Sequence, residues 1–161
     1  MLIRFTIAAL VVGSVLSISG CSSDGLSDRE VRARFQEHRP EFEELRSMVQ
    51  DDAVTSDLRF VSADAARPAL CGPLEDDQAC LSEKRRGDYE RRMRKAGVLW
   101  IDRERDPDRT YFVLYHRAYL MDARLRGLVH ASDGVSAGLL KPHQEWRTIS
   151  DSWYTYLMID S

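Results

Sequence analysis

Along the first part of the chain the apolar residues recur every three or four positions. Val31, Phe35, Phe42, Leu45 and Val49 keep that step, with His38 filling the gap between them. The spacing places them on one face of a helix. Ser27 with Glu30 three residues on is a capping-box start, and Leu26 and Val31 fit the apolar staple that accompanies it. Pro40 inside a helix costs about 3 kcal/mol, yet the apolar phase is the same on both sides of it. The pattern therefore predicts one kinked helix ending near Asp51 and Asp52. Ser82 predicts the cap of a second helix running to Ala96. Its apolar face is thin (Tyr89, Met93, Ala96), Gly87 weakens it, and Gly97 stands where a left-handed residue closes a helix.

From Val98 onward the period becomes two. Residues 98–101 predict a strand, Tyr111 to Tyr115 a second, and Leu120 to Ala131 a third, broken or bulged near Gly127. Trp153 to Ile159 predicts the last, with Trp153, Thr155, Leu157 and Ile159 on one face and Tyr154, Tyr156 and Met158 on the other. Leu58 to Val61 reads as a short strand, and residues 62–77 and 135–145 as loops. Turns at Asp106-Pro107-Asp108 and Asp133-Gly134 favour antiparallel pairing of consecutive strands. Helices followed by strands predict an α+β domain over residues 27–161. Two N-terminal helices would pack on one face of a four- to five-stranded antiparallel sheet.

The N-terminus has a different pattern. Arg4 precedes an apolar run from Phe5 to Leu16, and Ile18-Ser19-Gly20-Cys21 follows. This is the layout of a secretory signal, too short for a transmembrane helix of about 20 residues. The Ile-Ser-Gly-Cys end resembles the lipobox of bacterial lipoprotein signal peptides. That resemblance implies removal of residues 1–20, acylation of Cys21, and a short tether over residues 21–26. Lipid would then be held through Cys21, since each buried methylene contributes about 0.8 kcal/mol and several chains hold firmly. The expected location is the bacterial cell envelope. Ser22, with no Asp beside the cysteine, fits an outer membrane anchor facing the periplasm.

Removing residues 1–20 takes one Arg from 23 basic residues and nothing from 26 acidic ones, leaving 22 against 26, a balance of −4. Such a chain is not expected to bind nucleic acid by bulk charge. Cys71 and Cys80, with eight residues between them, predict a disulfide in an oxidising compartment. They are too far apart in sequence for a Cys-x-x-Cys redox motif. The tip between them carries Glu75-Asp76-Asp77, expected to be a solvated acidic turn.

Candidate chemistry is sparse. His38, His116, His130 and His143 show no metal-ligand spacing, so no metal or cofactor is expected. His116 and His130 lie on predicted neighbouring strands, where they are expected as ordinary sheet-face histidines. His143 and Glu145 are the candidates for an enzyme site assembled from scattered residues, and no Gly-x-Ser-x-Gly accompanies them. The strongest interaction surface is the basic second helix, with Arg85, Arg86, Arg91, Arg92, Arg94 and Lys95. It would face anionic lipid or an acidic envelope protein, unless neighbouring acids neutralise it.

The N-terminal amphipathic helix, the Tyr-containing second helix ending in Gly, Arg126-Gly127-Leu128 and Asp151-Ser152-Trp153-Tyr154-Thr155-Tyr156 together resemble a group of small proteobacterial lipoproteins. The likeness spans most of the mature chain. It implies an α+β lipoprotein and brings no activity with it. The expected function is a membrane-anchored interaction or binding module of the envelope, the alternatives being a structural envelope component or an enzyme.

Overall fold

A computed structural model describes residues 25–64, 66–67, 69–72, 78–104, 108–118, 123–132 and 144–160. The fold is α+β. Its elements in order are α1 (Asp28–Glu37), α2 (Arg39–Ser56), β1 (Leu58–Ser62), β2 (Leu70–Cys71), β3 (Gln78–Ala79), α3 (Glu83–Ala96), β4 (Trp100–Glu104), β5 (Arg109–Ala118), β6 (Ala123–Ala131), β7 (Gln144–Ser150) and β8 (Trp153–Asp160). Among the described residues the strands form one sheet in the order β3-β2-β1-β4-β5-β6-β8-β7. Every pairing in it is antiparallel.

The expected single kinked helix is two helices. His38 leaves the helical region at φ −115°, ψ 25°. Pro40 then falls in the first turn of α2, where a missing N–H leaves no bond unmade. The unbroken apolar phase still has its effect: Val31 and Phe35 of α1 and Phe42, Leu45, Met48 and Val49 of α2 are all buried. At its start Ser27 and Glu30 form the expected capping box. α2 runs past Asp52 to Ser56 and is closed by Asp57 at φ 53°. A left-handed aspartate is a weaker sequence signal than glycine, so the helix extends beyond the expected end. The α3 expectation agrees with the fold, with Ser82 as its cap and Gly97 at φ 68°.

Among the described residues there are eight strands where four to five are expected, and three helices where two are expected. Two of the added strands, β2 and β3, are two residues each, too short to show a period. β7 begins at Gln144, inside the stretch expected to be a loop, and its exposed positions give it no clear apolar face. The consecutive pairing β4-β5-β6 holds, but β8 inserts between β6 and β7. The expected irregularity near Gly127 lies on the partner strand: Val113 pairs with Gly127 and Tyr115 with Arg126, so Leu114 is the extra residue. Gly127 itself is required by closeness, since a Cβ there would run into the carbonyl of Phe112.

The helices contribute to one apolar core with one face of the sheet, where Phe42 meets Phe112 and Trp153. Cys71 belongs to this core. Its sulfur is at disulfide distance from that of Cys80, with Cα atoms 5.9 Å apart. No helix among the described residues is long and apolar enough to cross a membrane. Cys21, residues 75–77, the turns at 106–107 and 133–134, and His143 lie outside the described residues.

Candidate functional site

The opposite face of the sheet carries a second cluster of Tyr111, Val113, Val129, Ala131, Tyr154 and Tyr156. Strand alternation builds it. Trp100 pairs with Val113, Val113 with Gly127, Gly127 with Tyr156 and Tyr156 with Trp146, giving a row across five strands. The adjacent row runs Asp102, Tyr111, Val129, Tyr154 and Thr148. β5 and β7 are separated by two strands, so their axes in a flat sheet would be about 14 Å apart. Yet the rings of Tyr111 and Trp146 are 6.0 Å apart, and Tyr111 is 5.5 Å from Tyr156. These side chains lean together across the bare backbone of Gly127, leaving a hollow beside them on the outer face.

A cavity of about 230 Å³ opens on this face. Aromatic rings from Trp100, Tyr111 and Tyr156 line it, with Val113, Leu125 and Met158 supplying further apolar wall. Its polar wall is Asp102, Glu104 and Gln144. The Tyr111 hydroxyl donates to Glu104 Oε2 at 3.0 Å. Arg109, buried below, approaches Glu104 at 3.9 Å and sets its guanidinium 5.0 Å from the centre of the Trp146 ring. Arg109 Nη2 and Trp146 Nε1 are buried without a hydrogen-bond partner.

The electrostatics follow from this crowding. Asp102 is exposed as a residue, but its carboxyl sits against a concave wall that displaces water. That desolvation raises its pKa, and repulsion from Glu104 adds to the rise, while a backbone hydrogen bond from Arg103 and the charge of Arg59 oppose it. Burial, helped by Glu104, pushes the Tyr111 hydroxyl up to about 12. Burial likewise raises Tyr156, with Tyr111 and Asp102 contributing.

The residues singled out from sequence lie elsewhere. The six α3 cations singled out all have carboxylates within 3.6 Å, among them Arg85 with Asp52, Arg86 and Arg94 with Glu90, Arg91 with Asp88, and Arg92 with Glu44. The sixth, Lys95, pairs with Glu41. Acids therefore stand beside each of these six bases. His116 and His130 do not meet: His116 packs on Trp100 at the rim of the outer face, and His130 packs on Trp153 on the helical side. Burial lowers the pKa of His130. Tyr154 and Tyr156, expected on one face of the last strand, are buried in the second cluster, and Tyr156 lines the cavity.

Glu145 lines a separate cavity of about 260 Å³ on the helical side, with Asp28, Arg126, Arg147, Thr155, Tyr156 and Leu157. Burial there would raise the Asp28 carboxyl, but hydrogen bonds from Thr155 and Arg32 and the charges of Arg32 and Arg147 outweigh it and hold the group below the ordinary range. A carboxylate held in this way is a poor proton donor near neutral pH. Among the described residues no group of three or more His, Cys, Asp or Glu has the geometry to hold a metal.

Sequence reasoning missed Asp102 and Glu104. The signal was present: Trp100, Asp102 and Glu104 alternate along one strand and so share a face. Comparison with known proteins yields no match to any family model, curated protein or solved structure.

Proposed function

We propose that this chain is a lipid-anchored binding module of a bacterial cell envelope, held at the membrane through acylated Cys21 and presenting the concave sheet face to a ligand. The anchor half of this reading rests on the signal layout of residues 1–21 and the resemblance to small lipoproteins. The binding half rests on one observation: the cavity opens on a sheet face over which no described helix lies, and combines three aromatic rings with two carboxylates. Ligand sites are commonly concave, mostly apolar and supplied with a few convergent polar groups. The basic face of α3 is the weaker contact surface, because its cations already have acidic neighbours.

Two measurements test the proposal. Fractionation should find wild-type chain in membranes and Cys21→Ser chain released from them, with mass spectrometry locating acyl groups on Cys21. A thermal-shift screen of small apolar, cationic and anionic fragments should find compounds that raise the melting temperature, since any ligand of the folded state does so. Those compounds should not act on Val113→Trp, in which the cavity is filled. Membrane retention of the Cys21→Ser chain would overturn the anchor, and a screen without a single wild-type-specific fragment would overturn the binding face.

A further inference from the structure

Accepting the sheet face as the binding surface, we propose that its cavity takes an organic cation: an alkylammonium head group seated between Trp100, Tyr111 and Tyr156 and paired with Asp102. Three independent features favour that class. Aromatic faces attract cations through their quadrupoles, most strongly where water is excluded, and three such rings line this space. Two carboxylates stand on the same wall, two residues apart on β4. At about 230 Å³ the space is smaller than the roughly 300–1,000 Å³ typical of drug-sized ligands, so it suits a head group on a short stem rather than a whole cofactor.

The surrounding charges agree. Glu104 is engaged by Tyr111 and approached by Arg109, so Asp102 is the acid better placed to receive a newcomer. Repulsion of Asp102 by Glu104 outweighs its attraction to Arg59, so the two carboxylates crowd each other at this wall. An arriving cation would relieve that repulsion and stabilise the ionised Asp102. An arriving anion would add to it. His116 packs on Trp100 at the rim.

The test uses the full lipidated chain in detergent micelles, titrated by calorimetry and tryptophan fluorescence. The probes are propylammonium, 1-propanol and propionate, with Nα-acetyl-lysine methylamide as a second ammonium source. Propylammonium is expected to bind more than about tenfold tighter than 1-propanol, the scale of a desolvated cation–π contact. Propionate should be weakest. Asp102→Asn with Glu104→Gln should abolish the preference, and should the double variant lose its far-UV circular dichroism, Asp102→Asn alone carries the same comparison. Tighter binding of the lysine amide assigns the cation to a peptide side chain; tighter binding of propylammonium assigns it to a free amine, and either supports the proposal. Equal binding of propylammonium and propanol overturns the cation while leaving the binding face intact. Preference for propionate overturns it as well. Failure of every probe overturns both.

Discussion

The two faces of the sheet are built from the same strands and solve opposite problems. The helical face buries Phe42, Leu45, Tyr89, Met93, Phe112 and Leu128 completely. Two of its buried polar groups are matched: the Tyr89 hydroxyl donates to Asp52 at 2.8 Å, and Trp153 Nε1 donates to Glu43 at 3.1 Å. The concave face also buries aromatic rings, but it keeps a cavity, crowds two carboxylates together and leaves the Trp146 Nε1 without a partner. A packed face maximises stability, whereas a face that holds charge against aromatic rings retains cost that a bound ligand would relieve. The difference separates the residues that make the fold from those that make the site.

The largest expected effect breaks the helical face. Phe42→Ala removes a fully buried ring that touches Phe35, Phe112 and Trp153, and should lower the free energy of unfolding in urea by about 3–5 kcal/mol. A loss below 1 kcal/mol would mean that this layer is not the core. Next is the staple on the same side. Cys71→Ser opens a short loop and should cost about 2.5 kcal/mol in the chain-entropy model. The check is a melting temperature that falls in the variant and, equally, in wild type under reductant.

Gly127→Ala probes the seam between the faces. Its Cβ would collide with the Phe112 carbonyl, so strands β5 and β6 must separate, at a cost of about 1–3 kcal/mol. A neutral melting temperature would show that the strands approach less closely than described. The smallest effect has the opposite sign. Asp102 has a folded-state pKa above its ordinary value, so the unfolded chain loses that proton first as pH rises. The residue is neutral to stability below the ordinary aspartate range and destabilising above its raised value. Asp102→Asn should therefore be slightly stabilising at pH 7, by less than about 1 kcal/mol for so exposed a group. Near pH 3 it should be close to wild type. Urea midpoints at the two pH values test this, and a variant less stable at pH 7 would contradict the contrast between the faces.

The sequence made the helical face easy to read, because Val31 through Val49 repeat at one helical period and Ser27, Ser82 and Gly97 carry strong cap signals. The break at His38 was obscured by that same continuity: both helices pack on one core, so the apolar phase runs through the break. Short β2 and β3 left no period to detect. The candidate site was less legible for another reason. Asp102 and Glu104 are near each other in sequence, but their aromatic partners Tyr111 and Tyr156 arrive from β5 and β8, and β8 reaches its place only by inserting between β6 and β7. Alternation assigns a face to each residue without saying which strand will be its neighbour.

The capping box at Ser27 also limits where the body can go. It fixes the chain at residue 27, six residues beyond Cys21, and six extended residues reach about 20 Å at most. A folded unit spanning residues 27–161 has a radius of gyration of about 14 Å. With Cys21 acylated as proposed, the leash is shorter than the body is wide. The molecule would then roll against the lipid headgroups rather than drift away from them, and any ligand it meets would have to come to within a few nanometres of the bilayer.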